Sequence, residues 1–266
     1  MKRIALEETT STNRYAKELP EDESHELTLV TAEFQTAGRG AGTNTWESER
    51  SQNLLFSIIS YPKGLLANQM FALSEVTALA IRDALCSIVK VQGSTIPSSF
   101  GGVGGGFNAQ CSMLNSQFFI KWPNDIYWNN RKAVGMLIEN DLHGKQVHRS
   151  VIGVGVNINQ TAFISDAPNP VSLAQILGRK VDRDQVLNSI MQRFIYYYGI
   201  MEEECYSELH QLYMQHLYRK DALHPYSDEG GIFRARIRDV KPTGHLILED
   251  ENGELRRYDF KEVRFI

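Results

Sequence analysis

Residues 118–157 read FFIKWPNDIYWNNRKAVGMLIENDLHGKQVHRSVIGVGVN, and their alternation decides the fold. Phe118, Ile120 and Trp122 fall on one face of a strand, and Phe119 and Lys121 on the other, because successive strand side chains point to opposite faces. Pro123-Asn124-Asp125 reads as a turn, followed by a strand over Ile126 to Trp128, a turn at Asn129-Asn130 and a strand over Ala133 to Glu139. A further turn at His143-Gly144 leads into Val147 to Asn157. Short strands joined by tight turns make an antiparallel meander.

The same reading extends outward. Arg3 to Glu7, Leu27 to Phe34 and Asn53 to Tyr61 are strand-like, and Thr9 to Asn13 supplies N-cap candidates for a helix over Arg14 to Leu19. Met70, Leu73, Thr77, Ala80, Ile81, Ala84, Leu85 and Ile88 recur at helical spacing and predict an amphipathic helix packed on the sheet. Val171 to Leu177, Arg183 to Ile200 and Glu203 to Tyr218 are also helical in pattern, and the stripe through Val186, Leu187, Ile190, Met191, Phe194 and Ile195 reads as core packing. A break follows at His224-Pro225 and at residues 228–231. Beyond it IFRARIRDV, HLILED, ELRRYDF and VRFI are short alternating strands. The expected fold is α+β: a mixed, largely antiparallel sheet flanked by helices over residues 1–222, and a small β-barrel over 223–266. Residues 91–117 hold six glycines and no charged residue, and read as a flexible glycine- and serine-rich insertion.

Composition narrows the function. With 42% hydrophobic and 23% charged residues the chain is an ordinary globular protein, and a net charge of -4 gives no global reason to expect nucleic-acid or membrane-surface binding. The start, MKRIALEE, has no apolar run of signal-peptide type. Three cysteines without a C-x-x-C argue against a disulfide framework and against a zinc site. Cytoplasmic residence is the expectation.

The longest predicted connection between strands carries QTAGRGAGTNTW, residues 35–46. Gly38, Gly40 and Gly42 allow close backbone approach to a ligand, yet the third glycine of a dinucleotide loop is replaced by Thr43 and no Gly-Lys-Ser/Thr follows. A length of about eighteen residues favours a functional loop. Lys121, at a strand end beside a rigid turn, is either salt-bridged or reaches into a ligand cavity, where its compact charge suits a phosphate.

Taken in order, Ser11-Thr12-Asn13, Glu33-x-Gln35-Thr36-Ala37-Gly38-Arg39-Gly40 with Trp46, Lys121-Trp122-Pro123-Asn124-Asp125, Arg131-Lys132-x-x-Gly135-x-x-x-Glu139 and Gly153-x-Gly155-x-Asn157 resemble the biotin protein ligases. The likeness runs from about Ser11 to DFKEVRFI, with 91–117 as the main stretch outside it. The resemblance implies an SH3-like C-terminal barrel and two reactions. Biotin and ATP, with Mg2+, give biotinyl-5'-adenylate and pyrophosphate; a lysine of a biotin carboxyl-carrier domain then takes the acyl group. It implies biotin contacts from Ser11, Thr12, Asn13, Gln35, Gly38, Arg39, Gly40, Ala41 and Lys121, and adenylate or ATP contacts from Arg39, Trp46, Asn124, Lys132 and Asn157. Lys121 would be catalytic, meeting both the carboxylate and the α-phosphate. The chemistry agrees, since two anions must be neutralised before they react. Asp125 is the nearest base for the incoming lysine, or simply a turn cap. Trp46 and Trp122 have packing as their plainer role.

Two departures matter. The family's loop usually continues Gly-Arg-Gly-Arg, where this chain has Gly40-Ala41. A charge-assisted hydrogen bond contributes roughly 1.5–3 kcal/mol, so Ala41→Arg is expected to slow adenylate dissociation about tenfold to a hundredfold, unless Arg50, Arg131 or the loop backbone already compensates. Equal dissociation rates would refute this. Some family members carry an N-terminal helix-turn-helix domain; the first ligand motif here begins at Ser11, so no repressor activity is expected, and specific operator binding would overturn that. The rivals are a lipoate-type ligase and a non-catalytic biotin-binding regulator. An exposed sheet edge could pair with the carrier domain or with a second copy in a homodimer.

Overall fold

The computed structural model describes residues 1–93, 118–164 and 169–266. Residues 91–93 of the predicted insertion finish a helix, and the rest of it lies outside the described residues.

The main sheet is built from β1 (Lys2–Leu6), β2 (Thr28–Ala32), β3 (Leu54–Ser60), β4 (Phe118–Lys121), β5 (Asp125–Trp128), β6 (Arg131–His143) and β7 (Gln146–Val156). Their order is β1-β2-β3-β7-β6-β5-β4. Only the β1–β2 pair is parallel, so the expected mixed, largely antiparallel sheet is what forms. Every residue of β3 is buried, because helices cover both faces and the strand has no solvent side on which to alternate.

On one face α2 (Ala72–Gly93), α4 (Arg183–Glu202) and α5 (Tyr206–Gln215) close a core with Phe56, Ile58, Ile152 and Val154. On the other, α1 (Thr12–Glu18) sets Ala16 against Val30, Ile59 and Val151. Helix ends follow local chemistry. The short helix α3 (Leu173–Leu177) starts two residues later than predicted because Ser172 and Gln175 form a capping box, and it ends on Gly178 at φ 69°. The α5 helix starts at Tyr206, after Glu204 turns the chain at φ 58°.

The C-terminal residues form an antiparallel five-stranded sheet, the small barrel-like unit expected there. It contains β8 (His224–Asp228), β9 (Gly231–Val240), β10 (Leu246–Asp250), β11 (Leu255–Tyr258) and β12 (Arg264–Phe265), in the order β11-β10-β9-β8-β12. Strand β8 corrects the sequence reading, which placed a break at His224-Pro225. Proline has no N–H to give, but Pro225 still serves through its carbonyl, which accepts from Ile266 N at 3.2 Å.

One ionic link ties the helices to this second sheet. His210 of α5 bonds Glu75 of α2 at 2.7 Å through Nδ1 and Asp239 of β9 at 3.0 Å through Nε2. The hydrogen bond to Glu75 is the main cause that lifts the His210 pKa above 6.5, with both carboxylates outweighing burial. A histidine pKa raised by folding contributes stability that is full below its unfolded value and is lost as pH rises through the folded value. Thermal midpoints should therefore fall as pH rises above about 6.5. His210→Gln should flatten that fall, and an unchanged slope would remove His210 as its cause.

Candidate active site

A cavity of about 620 Å³ opens where the loop after β2, the start of α1, the β4–β5 turn, the middle of β6 and β7, and the C-terminal turn converge. It gathers Ser11, Thr12, Asn13, Gln35, Arg39, Gly40, Ala41, Trp46, Lys121, Asn124 and Lys132 from the sequence-level candidates. Gly38 and Asn157 are not on its wall. Gly38 sits behind it, where a Cβ would lie 2.5 Å from the Trp46 carbonyl oxygen. Asn157 is buried in backbone pairing, donating from N to Ala133 O at 3.0 Å and accepting from Leu173 N at 3.0 Å.

One end of the cavity is polar without being charged. Gln35 Oε1 accepts from Thr12 N at 2.7 Å and from Thr12 Oγ1 at 3.1 Å, which fixes the amide and leaves its Nε2 without a partner among the described residues. Ser57 Oγ lies 2.8 Å from Thr12 Oγ1 and 2.7 Å from Asn13 Oδ1. Ser11, the N-cap of α1, makes no side-chain capping bond, so its hydroxyl is left to the cavity. Asn13 differs from its neighbours. Its Nδ2 donates to Leu137 O at 3.1 Å and to Glu139 Oε2 at 3.0 Å, so its amide is engaged in holding α1 to β6.

The middle of the cavity is cationic. Lys121 Nζ donates to the Tyr127 hydroxyl at 3.2 Å and lies 4.8 Å and 5.2 Å from the ring centres of Tyr127 and Phe265. It makes no ion pair among the described residues, so the salt-bridged alternative falls away. Burial, aided by Lys132 and Arg219 and opposed by Asp125, lowers its pKa from 10.5. A half-buried ammonium in aromatic surroundings, with no ion-pair partner among the described residues, suits an anion. Lys132 is instead paired with Asp125 at 2.8 Å, so the carboxylate nearest Lys121 is already engaged. Asn124 braces the turn, its Nδ2 donating to Met136 O at 2.6 Å.

Trp46 rests on a floor of glycine. Gly135 and Gly155 are direct partners across β6 and β7, and a Cβ on either would reach the indole, at 2.7 Å for Gly135. Arg39 turns toward Glu139 at 3.4 Å, which Lys17 also meets at 3.0 Å. Burial works against ionising Glu139, but the bonds from Lys17 and Asn13 outweigh it and hold its carboxyl below 4.5. Arg50 pairs with Glu8, and Arg131 donates to Pro170 O, so neither offsets Ala41 within the cavity.

Sequence reasoning missed Tyr127, Phe260, Lys261, Arg264 and Phe265 on the wall. Tyr127 was within reach: the hairpin pairs Phe119 with Tyr127 and Lys121 with Asp125, which puts those four on one face. The others arrive from far along the chain with no local signal.

Residues 5–157 match the family model described as the biotin/lipoate A/B protein ligase family, more than half of the chain. The chain belongs to that family. The biotin--[acetyl-CoA-carboxylase] ligase of Paracoccus denitrificans is 31% identical over 195 residues, covering 71% of this chain and 70% of the relative. The bifunctional ligase/repressor BirA of Bacillus subtilis is 28% identical over 266 residues, covering 94% of this chain and 70% of the relative. The biotin protein ligase of Aquifex aeolicus, solved in complex with biotin and ATP, superposes with a TM-score of 0.73 at 23% identity, covering 100% of this chain and 99% of that one. That likeness shows the ligase fold. Among the described residues no helix is long and apolar enough to cross a membrane.

Proposed function

We propose that this chain activates biotin with ATP as biotinyl-5'-adenylate and transfers the biotinyl group to a lysine of a carboxyl-carrier domain. The observation that carries this reading is the half-buried Lys121 ammonium, with no ion-pair partner among the described residues, set beside an uncharged donor and acceptor cluster. In the first step a biotin carboxylate oxygen attacks the α-phosphorus and pyrophosphate leaves. Lys121 neutralises the two anions that must approach, and the charge that grows on the phosphoryl oxygens is stabilised where water is excluded. In the second step the carrier amine attacks the acyl carbon, AMP leaves, and the amine's proton must be lost.

Ser11, Thr12 and Gln35 supply the mix of donors and acceptors that a ureido ring needs. A lipoyl dithiolane would leave them unpaired, and a site built to hydrogen-bond its substrate rejects an analogue lacking those groups. Toward the nucleotide we assign Lys132, Asn124 and the Trp46 ring; Asn157 would act from behind, through the β6 backbone. No group of His, Cys, Asp and Glu able to hold a metal ion occurs among the described residues, so Mg2+ would enter on the nucleotide phosphates. We take residues 1–222 as the catalytic unit and 223–266 as the barrel, and the outer edge of β1 as the surface open to a carrier or a second copy.

The test is to incubate the protein with ATP, Mg2+ and a carrier domain, with biotin or lipoate, and to follow covalent acylation by mass. Biotinylation without lipoylation is expected. Transfer of lipoate alone, or of neither, would overturn the assignment.

A further inference from the structure

The loop carries no charge from Gly40 to Thr45, and its nearest cation, Arg39, is held by Glu139 at 3.4 Å. Lys132 is likewise held by Asp125. The cation that does reach the neutral stretch comes from the other end of the chain. Lys261 lines the cavity, and its side chain crosses to the loop at Gly42, where an added Cβ would collide with Nζ and lie 3.1 Å from Cε. The crossing is possible only because residue 42 has no side chain.

Lys261 itself adopts φ 76°, a region that L-residues rarely enter unless the surroundings impose it. The turn imposes it. Asp259 N donates to Glu262 Oε2 at 2.6 Å, Phe260 N to Asp259 Oδ1 at 2.7 Å, and Glu262 N to Asp259 O at 3.2 Å. Both acidic neighbours thus face the turn's own backbone. No carboxylate pairs with Lys261 among the described residues, and its ring neighbour is Phe260 at 5.8 Å. A cation is held in an unfavourable backbone conformation, against a glycine of the covering loop, on the wall of a cavity whose inner ammonium is Lys121. Lys121 and Lys261 both line that one cavity.

We propose that Lys261 is a positioning residue that latches the loop at Gly42 to the phosphate of the acyl-adenylate, so that the C-terminal turn sets how long the intermediate is retained. This rests on the adenylate-forming reading above. It places the latch in the contact between loop and turn, and not in the biotin end of the cavity.

The experiment measures release of preformed biotinyl-adenylate by rapid-mixing fluorescence, beside biotin affinity and the thermal midpoint. Lys261→Ala is expected to speed release about tenfold, the loss of about 1.4 kcal/mol, with biotin affinity and thermal midpoint unchanged. Lys261→Arg should restore slow release, because the charge is kept. Gly42→Ala, whose Cβ displaces the ammonium, should speed release as Lys261→Ala does, and the double variant should release no faster than either alone. Unchanged release in Lys261→Ala, or additive effects in the double variant, would overturn the latch. Release accelerated equally by Lys261→Ala and Lys261→Arg would do the same. Failure of the unmodified protein to produce pyrophosphate and adenylate would instead overturn the parent reading, and it is read first, before any variant.

Discussion

Lys121→Ala is expected to lower the rate of adenylate formation by about 10²–10³, in line with removal of one preorganised charge from a transition state. Its thermal midpoint should not fall. Lys121 is half-buried beside Tyr127 and Phe265 with no ion-pair partner among the described residues, and burial lowers its pKa despite Asp125, so its charge is a net cost to the folded state. Removing it relieves that cost. The two readouts together, pyrophosphate release and a thermal melt, separate a functional cation from a structural one. A variant that keeps its activity, or that loses activity and stability in parallel, would show Lys121 to be part of the packing.

The second large effect is on stability. In Gly153→Ala the new Cβ collides with Asn13 Oδ1, which also accepts from Ser57 Oγ at 2.7 Å. Asn13 is 3% exposed and Ser57 0%, so neither can move into solvent. Overpacking costs about 1–3 kcal/mol, and a buried group left without its partner about as much again. A loss of about 2–6 kcal/mol in urea unfolding is expected, with weaker biotin binding, because Asn13 holds the start of α1. Gly199→Ala is the control. It lies in α4 with nothing within 4 Å of the added Cβ, and it should be neutral or slightly stabilising. Equal losses in the two variants would mean that the close approach at Gly153 is not what matters there.

How far the sequence carries can be judged residue by residue. The meander of 118–157 was legible because its alternation is regular and its turns use Pro, Asn and Gly, which act locally. β8 was not, since His-Pro signals a break, and only the pairing with β9 and β12 makes a strand of it. At the site, motif likeness pointed to the hydroxyl cluster, the loop and Lys121, and the structure brings these to one cavity. It could not foresee that Asn13 would be engaged by Leu137 and Glu139, nor that Arg39 would turn to Glu139. Those outcomes depend on which partner lies closest after packing, and residues 13 and 139 share no local pattern. Lys261, Arg264 and Phe265 were invisible for the same reason.

The breadth of the cavity wall, from Ser11 to Phe265, bears on when a newly made molecule becomes competent. The seven-stranded sheet has all its strands by Val156, and the helices follow by Gln215. A growing chain that has delivered everything through β11 still lacks the turn bearing Lys261 and the ring of Phe265 beside Lys121. Without them Lys121 keeps Tyr127 but lacks one of its two aromatic neighbours, and water that enters there screens its charge and hydrolyses a mixed anhydride. Competence therefore waits for the turn that follows β11, and a chain that has not yet added it is spared from making a reactive acylating agent that it cannot hold.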